Sequence, residues 1–214
     1  MKHSVVVKRE TVLLIHGLWA NALSLIFLAR YLKKMNYKVE YFKYPSMRHS
    51  LDENARELRN FINTLDTDCC HLVGHSLGGM IALSLLQNYA VQNVGRVLLM
   101  GSPVNGSKVA RTIADARLFS GVLGKCTKEL CHGLKYNGSH PVAIIAGSGG
   151  WGFGHLITHI DPPHDGAVMV AEASLDNATE QLVLPTSHFS MLFSRLVSQN
   201  IGEYLRSGRF VGTS

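Results

Sequence analysis

The chain has 214 residues, of which 46% are hydrophobic and 17% are charged. This composition supplies one sizeable core and excludes a largely disordered chain, and the length favours a single domain. Lys and Arg outnumber Asp and Glu by 21 to 15, which gives a net charge of +6 with His neutral. Because the basic residues are scattered and occur at most in pairs, this charge does not predict a nucleic-acid-binding surface.

Short apolar segments alternate with helical patterns along the chain, without a linker or an internal repeat. Val12–Ile15 is a continuous apolar run that ends in His-Gly, as expected for a strand buried on both faces. Similar runs or alternating patterns predict the other strands, at 38–44, 71–74, 96–100, 142–146 and 181–184. Helical spacing predicts the helices, at 21–35, 51–65, 77–90 and 189–206, the second of which starts at a Ser50–Glu53 capping box.

This alternation indicates an α/β fold with a mainly parallel central sheet and helices on both faces. We expect a single domain over residues 1–214. Residues 102–141 are longer than a simple crossover between two strands. Two interpretations stay open for the apolar helical face within them: ordinary helix packing, which is preferred, and a small cap or lid over the site. Ligands bind at the carboxyl ends of the strands in such sheets, so the residues directly after each strand are the candidates for a site.

The cysteines and the N-terminus predict a cytoplasmic protein. Four cysteines are too few for a disulfide scaffold, and Cys126 and Cys131 lack the two-residue spacing of a zinc or redox pair. The first apolar run covers only residues 5–7, which is shorter than the core of a secretory signal. Val12–Leu32 has the length of a membrane span, but its His-Gly break and Arg30 indicate a buried strand, a loop and a helix instead.

The segment after the strand at 71–74 has the pattern G-x-S-x-G, as Gly74-His75-Ser76-Leu77-Gly78, and an apolar helix follows it. Between a strand and a helix, this pattern is typical of a nucleophile elbow. The glycines allow a turn in which side chains would collide with neighbouring backbone, and strain at the serine lifts its hydroxyl above the sheet. Ser76 is therefore the candidate nucleophile, whereas His75 is expected to pack inside the turn.

Three segments resemble the α/β-hydrolase superfamily: VLLIHGLWA from Val12, HLVGHSLGG from His71 and SHFSML from Ser187. Within the superfamily, the chain is similar to the small lipase and esterase branch, near the GPI-inositol-deacylase-like and bacterial lipase-like proteins. The resemblance extends from Val12 to the C-terminal helix. It implies an oxyanion hole in which the backbone N–H of Leu18 acts beside that of Leu77, the residue after the nucleophile.

A catalytic serine needs a base and an acid, which follow it in the chain order Ser, acid, His. His188 follows the last predicted strand and is the only histidine after position 164, so it is the candidate base. Two carboxylates, Asp165 and Asp161, follow the strand at 142–146 and qualify as the acid. Asp165 is preferred because its Asp-Gly-x-Val context resembles the acid loop of many such hydrolases. Glu172 and Asp176 are interpreted as surface residues.

A metal site is the competing interpretation of residues 155–165. The histidines and aspartates of this segment could ligate a metal if it were helical: His155, His159, Asp161, His164 and Asp165. The preceding glycines and the pair Pro162-Pro163 disfavour a helix, and a serine mechanism needs no metal. No metal site and no cofactor are therefore predicted.

Together these residues predict a serine hydrolase that cleaves carboxylic esters through an acyl-enzyme intermediate. The expected substrate is a small-molecule acyl ester or a lipid-like ester, with no nucleic-acid partner and no transmembrane segment. The same machinery serves thioesters and amides, so a thioesterase remains open, as does an acyltransferase that uses an alcohol in place of water. A binding protein without activity on this scaffold is the third alternative.

Overall fold

The computed structural model describes residues 9–116 and 121–211. Six strands form one parallel sheet in the order β2-β1-β3-β4-β5-β6. They are β1 (Glu10–Ile15), β2 (Lys38–Phe42), β3 (Cys69–His75), β4 (Val94–Met100), β5 (Val142–Gly147) and β6 (Glu180–Leu184). The α-helices of the described ranges are α1 (Ile26–Lys34), α2 (Leu51–Thr64), α3 (Leu77–Asn88), α4 (Lys108–Asp115), α5 (Thr127–His132) and α6 (Arg195–Ser207).

The sheet separates two apolar cores, because successive side chains of a strand point to opposite faces. In β1, Leu13 and Ile15 join the core under α2, α3, α4 and α5, whereas Val12 and Leu14 join the core under α1 and α6. Strands buried on both faces explain the continuous apolar runs of the sequence. The predicted α/β architecture, with helices on both faces of a parallel sheet, is confirmed.

Two predicted helices start later than expected. The helix predicted at 21–35 begins as a 3-10 turn over Ala22–Leu25, which Asn21 caps, and α1 starts only at Ile26. The helix predicted at 189–206 starts at Arg195, because the Ser194 hydroxyl accepts the N–H of Val197 as a cap. The capping box of α2 is present, with reciprocal bonds between Ser50 and Glu53.

The apolar stretch Val12–Leu32 folds as β1, a loop and most of α1, as the sequence predicted. In the described ranges, none of the helices has both the length and the apolar character needed to cross a membrane. All four cysteines are thiols. Burial raises the pKa of Cys70 and of Cys126 to about 12, which keeps both thiols protonated at neutral pH.

Candidate active site

The turn between β3 and α3 holds Ser76 in a conformation that few residues other than glycine adopt, with φ 53° and ψ −121°. Its N–H donates to the carbonyl of Met100, which ties the turn to the end of β4. The positions on either side of this turn have no room for a side chain, so both are glycine. A Cβ at Gly74 would lie 2.5 Å from the Cα of Gly79, and one at Gly78 would lie 2.2 Å from the carbonyl oxygen of Ile15.

His188 lies in the loop after β6 and contacts Asp165, in the loop after β5. Its Nδ1 is 2.7 Å from Oδ2 of Asp165, and its backbone N–H donates to the Asp165 carbonyl at 2.8 Å. The Asp165 side chain is 1% exposed, and its Oδ1 accepts the N–H groups of Ala167 and Val168. Because a carboxylate only accepts hydrogen bonds, Nδ1 of His188 donates to Asp165, and in a neutral imidazole Nε2 is then the acceptor.

Asp161, the alternative acid, lies elsewhere. Its carboxylate is 63% exposed, 3.0 Å from Nζ of Lys108 and 3.4 Å from Nε2 of His159. Lys108 holds the pKa of Asp161 below its usual value through a hydrogen bond and its charge. The structure therefore brings Asp165, and not Asp161, to His188.

The loop after β1 lies against the start of α3. A Cβ at Gly17 would come within 3.1 Å of the Ser76 Cβ, and Leu18 borders the same cavity as Ser76. The N–H of Leu77 is in the first turn of α3 and has no acceptor within the helix. The N–H of Leu18 donates no hydrogen bond within the residues that the structure describes. Both N–H groups are thus available to an anionic oxygen beside Ser76.

His16 braces this loop. Its ring stacks on Tyr44 at 4.4 Å, its Nδ1 lies 2.9 Å from the carbonyl of Gly17, and the Tyr44 hydroxyl donates to the His16 carbonyl at 2.6 Å. Burial lowers the pKa of His16, so the imidazole is neutral at neutral pH. These contacts are those of a structural residue.

His75 connects the elbow to the loop that carries His188. Its Nε2 lies 3.1 Å from the carbonyl oxygen of His188 and donates to it, and the two rings are 4.7 Å apart. Burial, followed by the nearby His188, lowers the pKa of His75 well below its usual value. His75 is therefore neutral, and the His188 peptide is held on one side by His75 and on the other by Asp165.

A cavity of about 400 Å³ opens beside Ser76 and His188. Its other walls are mainly apolar and come from α4, α5, the segment before α5 and the loops after β5 and β6, through Val109, Ile113, Leu123, Leu130, Phe153 and Phe189. The indole N–H of Trp19, at the edge of the cavity, donates to the Val122 carbonyl at 2.9 Å. An apolar cavity of this size accepts the hydrocarbon part of a small substrate.

Glu172 was expected on the surface, and that expectation is wrong. Its side chain is 7% exposed, and its carboxylate accepts the N–H of Lys108 at 2.6 Å and that of Met169 at 2.9 Å. Arg111 lies 3.4 Å away. Glu172 thus joins the start of α4, a cavity wall, to the loop that carries Asp165. Its position six residues after Gly166 gave no signal, because burial here depends on contacts with α4.

The histidines of residues 155–165 do not converge on one point. His155 packs edge-on against His164, with ring centroids 4.8 Å apart, while His159 pairs with Asp161. Over residues 9–116 and 121–211, no group of three His, Cys, Asp or Glu side chains has a metal-binding arrangement.

The sequence matches a family model described as "Alpha/beta hydrolase family" over residues 12–125, just over half of the chain. The chain belongs to the α/β hydrolase family. The matched part contains the elbow at Ser76 and ends before Asp165 and His188.

Curated relatives share shorter segments. RutD of Serratia proteamaculans, named as a proposed carbamate hydrolase, is 35% identical over 77 residues, which are 35% of this chain and 29% of that protein. Lysosomal thioesterase PPT2-B of Xenopus laevis is 27% identical over 109 residues, 47% of this chain and 38% of that protein. The chain therefore spans less than two fifths of the length of either relative. These proteins support a hydrolase.

Solved structures match over a larger part of the chain. Lipase BlEst2 of Bacillus licheniformis superposes with a TM-score of 0.73 at 19% identity, over 98% of this chain and 95% of that chain. This likeness shows that the two proteins share a fold.

Proposed function

We propose that the protein hydrolyses carboxylic esters, with Ser76 as nucleophile, His188 as general base and acid, and Asp165 as the residue that orients His188. The observation that carries the proposal is the contact of 2.7 Å between His188 Nδ1 and the buried Asp165 carboxylate, beside a cavity that both His188 and Ser76 line. A histidine oriented in this way has its Nε2 free to accept a hydroxyl proton.

The reaction has two halves. The Ser76 oxygen attacks the ester carbonyl carbon while its proton passes to Nε2 of His188, and the carbonyl oxygen becomes an oxyanion that the N–H groups of Leu18 and Leu77 bind. The carbon–oxygen bond to the alcohol then breaks, and the alcohol takes the proton from His188. Water next gives a proton to His188 and attacks the acyl-enzyme, which releases the acid and returns the proton to Ser76.

The proposal also includes a cap, a compartment and two alternative reactions. Helices α4 and α5 line the cavity, which supports residues 102–141 as a small cap on one domain. The four thiols support a reducing compartment, the cytoplasm. A thioester is the second candidate substrate, because one relative is named as a thioesterase. An acyl-enzyme also transfers its acyl group to an alcohol where one replaces water.

A fluorophosphonate probe tests the nucleophile, because it bonds covalently to an activated serine. We expect labelling of the intact protein and of Ser24→Ala, whose serine also lines the cavity, and none of Ser76→Ala. Equal labelling of Ser76→Ala and the intact protein would remove Ser76 from the mechanism. A panel of p-nitrophenyl esters and acyl-thioesters, compared by kcat/KM with and without added alcohols, then distinguishes esterase, thioesterase and acyltransferase.

A further inference from the structure

Large apolar side chains are exposed around the mouth of the cavity. Six of them, called the apolar rim below, expose 39% to 71% of their surface: Trp19, Leu23, Phe27, Phe189, Phe193 and Leu196. Three of the six, Trp19, Phe189 and Phe193, also line the cavity. Clustered exposed apolar groups of this kind mark an interaction surface, whereas single ones are ordinary.

Four residues of the rim lie on or directly before α1 and α6: Leu23 and Phe27, and Phe193 and Leu196. Both helices follow parallel strands and cover the same face of the sheet, so both start at the carboxyl edge. The two helices pack closely, because a Cβ at Gly202 of α6 would lie 2.4 Å from the sulfur of Met35, the residue after α1, and 3.1 Å from the ring of Tyr31. Phe27 lies eight residues before Met35, and Ser194 lies eight residues before Gly202. Ser194 is close in the chain to Phe193 and Leu196.

Phe153 connects two residues of the rim, Trp19 and Phe189, through tilted aromatic rings. The Phe153 ring lies 6.4 Å from that of Trp19 and 6.3 Å from that of Phe189. Its neighbours Trp151 and Leu156 are 84% and 90% exposed. Exposed apolar side chains therefore border the cavity on this side as well.

The chain segments that carry the apolar rim lack acidic residues. Residues 16–36, 147–160 and 186–202, which carry the rim and its neighbours, contain no Asp or Glu. Exposed cations lie on the same helices: Arg30 midway along α1, and Arg195 at the start of α6, toward the carboxyl edge. Asp161, the first acidic residue after the segment 147–160, is paired with Lys108. This arrangement attracts an anionic surface, and it opposes a second copy of the chain, since a symmetric contact would bring equal cations together.

We propose that the apolar rim docks on an anionic lipid surface, from which the hydrocarbon chain of a lipid-like ester enters the cavity. Trp and Phe side chains partition into the boundary between headgroups and acyl chains, and nearby Lys and Arg bind anionic headgroups. The identity of the ester rests on the proposed function. Docking does not, because it needs no chemical step, and so the two are tested separately.

Docking is measured with the Ser76→Ala protein, which leaves the lipid intact, by flotation with phosphatidylcholine vesicles that contain or lack phosphatidylglycerol. We expect binding to the anionic vesicles. Phe27→Ser and Leu196→Ser, neither of which lines the cavity, each lower the partition coefficient about tenfold. Arg30→Gln and Arg195→Gln each lower it about fivefold on anionic vesicles only. Val183→Ser and Val211→Ser, at exposed apolar residues elsewhere, are the matched controls and leave binding unchanged.

Each outcome decides for or against docking. Absence of binding, equal binding to both vesicle types, or equal losses in the rim and control variants overturns it. Concentration-dependent dimers that the rim variants abolish would show that the surface serves self-association instead. Hydrolysis of soluble p-nitrophenyl butyrate is measured in parallel on proteins that keep Ser76, and we expect Phe27→Ser and Leu196→Ser to leave it unchanged. Vesicle binding without such hydrolysis would support docking and contradict the proposed function.

Discussion

Replacing Asp165 by Asn separates the proposed chemistry from the fold. Oδ1 of Asp165 accepts the N–H groups of Ala167 and Val168 at 2.9 and 2.7 Å, and Oδ2 accepts from His188. An asparagine keeps the first two bonds with its amide oxygen and turns its NH₂ group toward His188. Nδ1 of His188 then becomes the acceptor and Nε2 carries the proton, so the imidazole cannot take a proton from Ser76.

The magnitudes of the two effects differ. A base held in the wrong tautomer costs about 10⁴-fold in kcat, or about 5 kcal/mol of transition-state stabilisation. The fold of Asp165→Asn should be nearly unchanged. Asp165→Ala instead leaves two buried N–H groups without an acceptor, at about 1–3 kcal/mol each. For a chain of this size, each kcal/mol lowers Tm by about 2–4 °C.

The assay is kcat/KM on a soluble p-nitrophenyl ester, with Tm measured on the same samples. Asp161→Asn is the matched control, because it makes the same chemical change at an exposed carboxylate, and we expect near-normal activity. Activity of Asp165→Asn within tenfold of the intact protein would refute the role of Asp165. A large loss in Asp161→Asn would move that role to Asp161.

Three other predictions concern residues near the site. Gly78→Ala, whose Cβ would lie 2.2 Å from the Ile15 carbonyl oxygen, should push the loop after β1, which carries Leu18, away from Ser76 and lower kcat/KM at least tenfold in steady-state assays; unchanged kinetics would contradict the close approach. His75→Phe removes the hydrogen bond to the His188 carbonyl, so kcat should fall about tenfold with KM unchanged, and a rise in KM alone would argue against positioning. Burial raises the pKa of Glu172 above its ordinary 4.5, so its stabilising contribution is complete below that pH and is lost as pH rises through the raised pKa. Urea unfolding should therefore show the intact protein losing stability relative to Glu172→Gln as pH rises above 4.5, and a parallel pH dependence would contradict this.

Structural features that depend only on residues close together in the chain could be predicted from the sequence. The Ser50–Glu53 capping box lies within one helical turn, and the buried run Val12–Ile15 reflects a strand covered on both faces. Helix starts were less predictable, because a 3-10 turn and an α-helix share much of their spacing. Arg195 begins α6 through a serine cap that the apolar pattern around it obscured.

The sequence by itself determined the parallel α/β architecture and the strained turn at Ser76, because hydrophobic periodicity and glycine spacing act over a few residues. Only the tertiary structure decided which carboxylate meets His188, since Asp161 and Asp165 follow the same strand and differ by how one loop folds. It also decided that Glu172 is buried and that Phe153 lies between Trp19 and Phe189 at the cavity. These outcomes depend on distant segments packing together, and a side chain's burial is set by partners that its own neighbours in the chain do not specify.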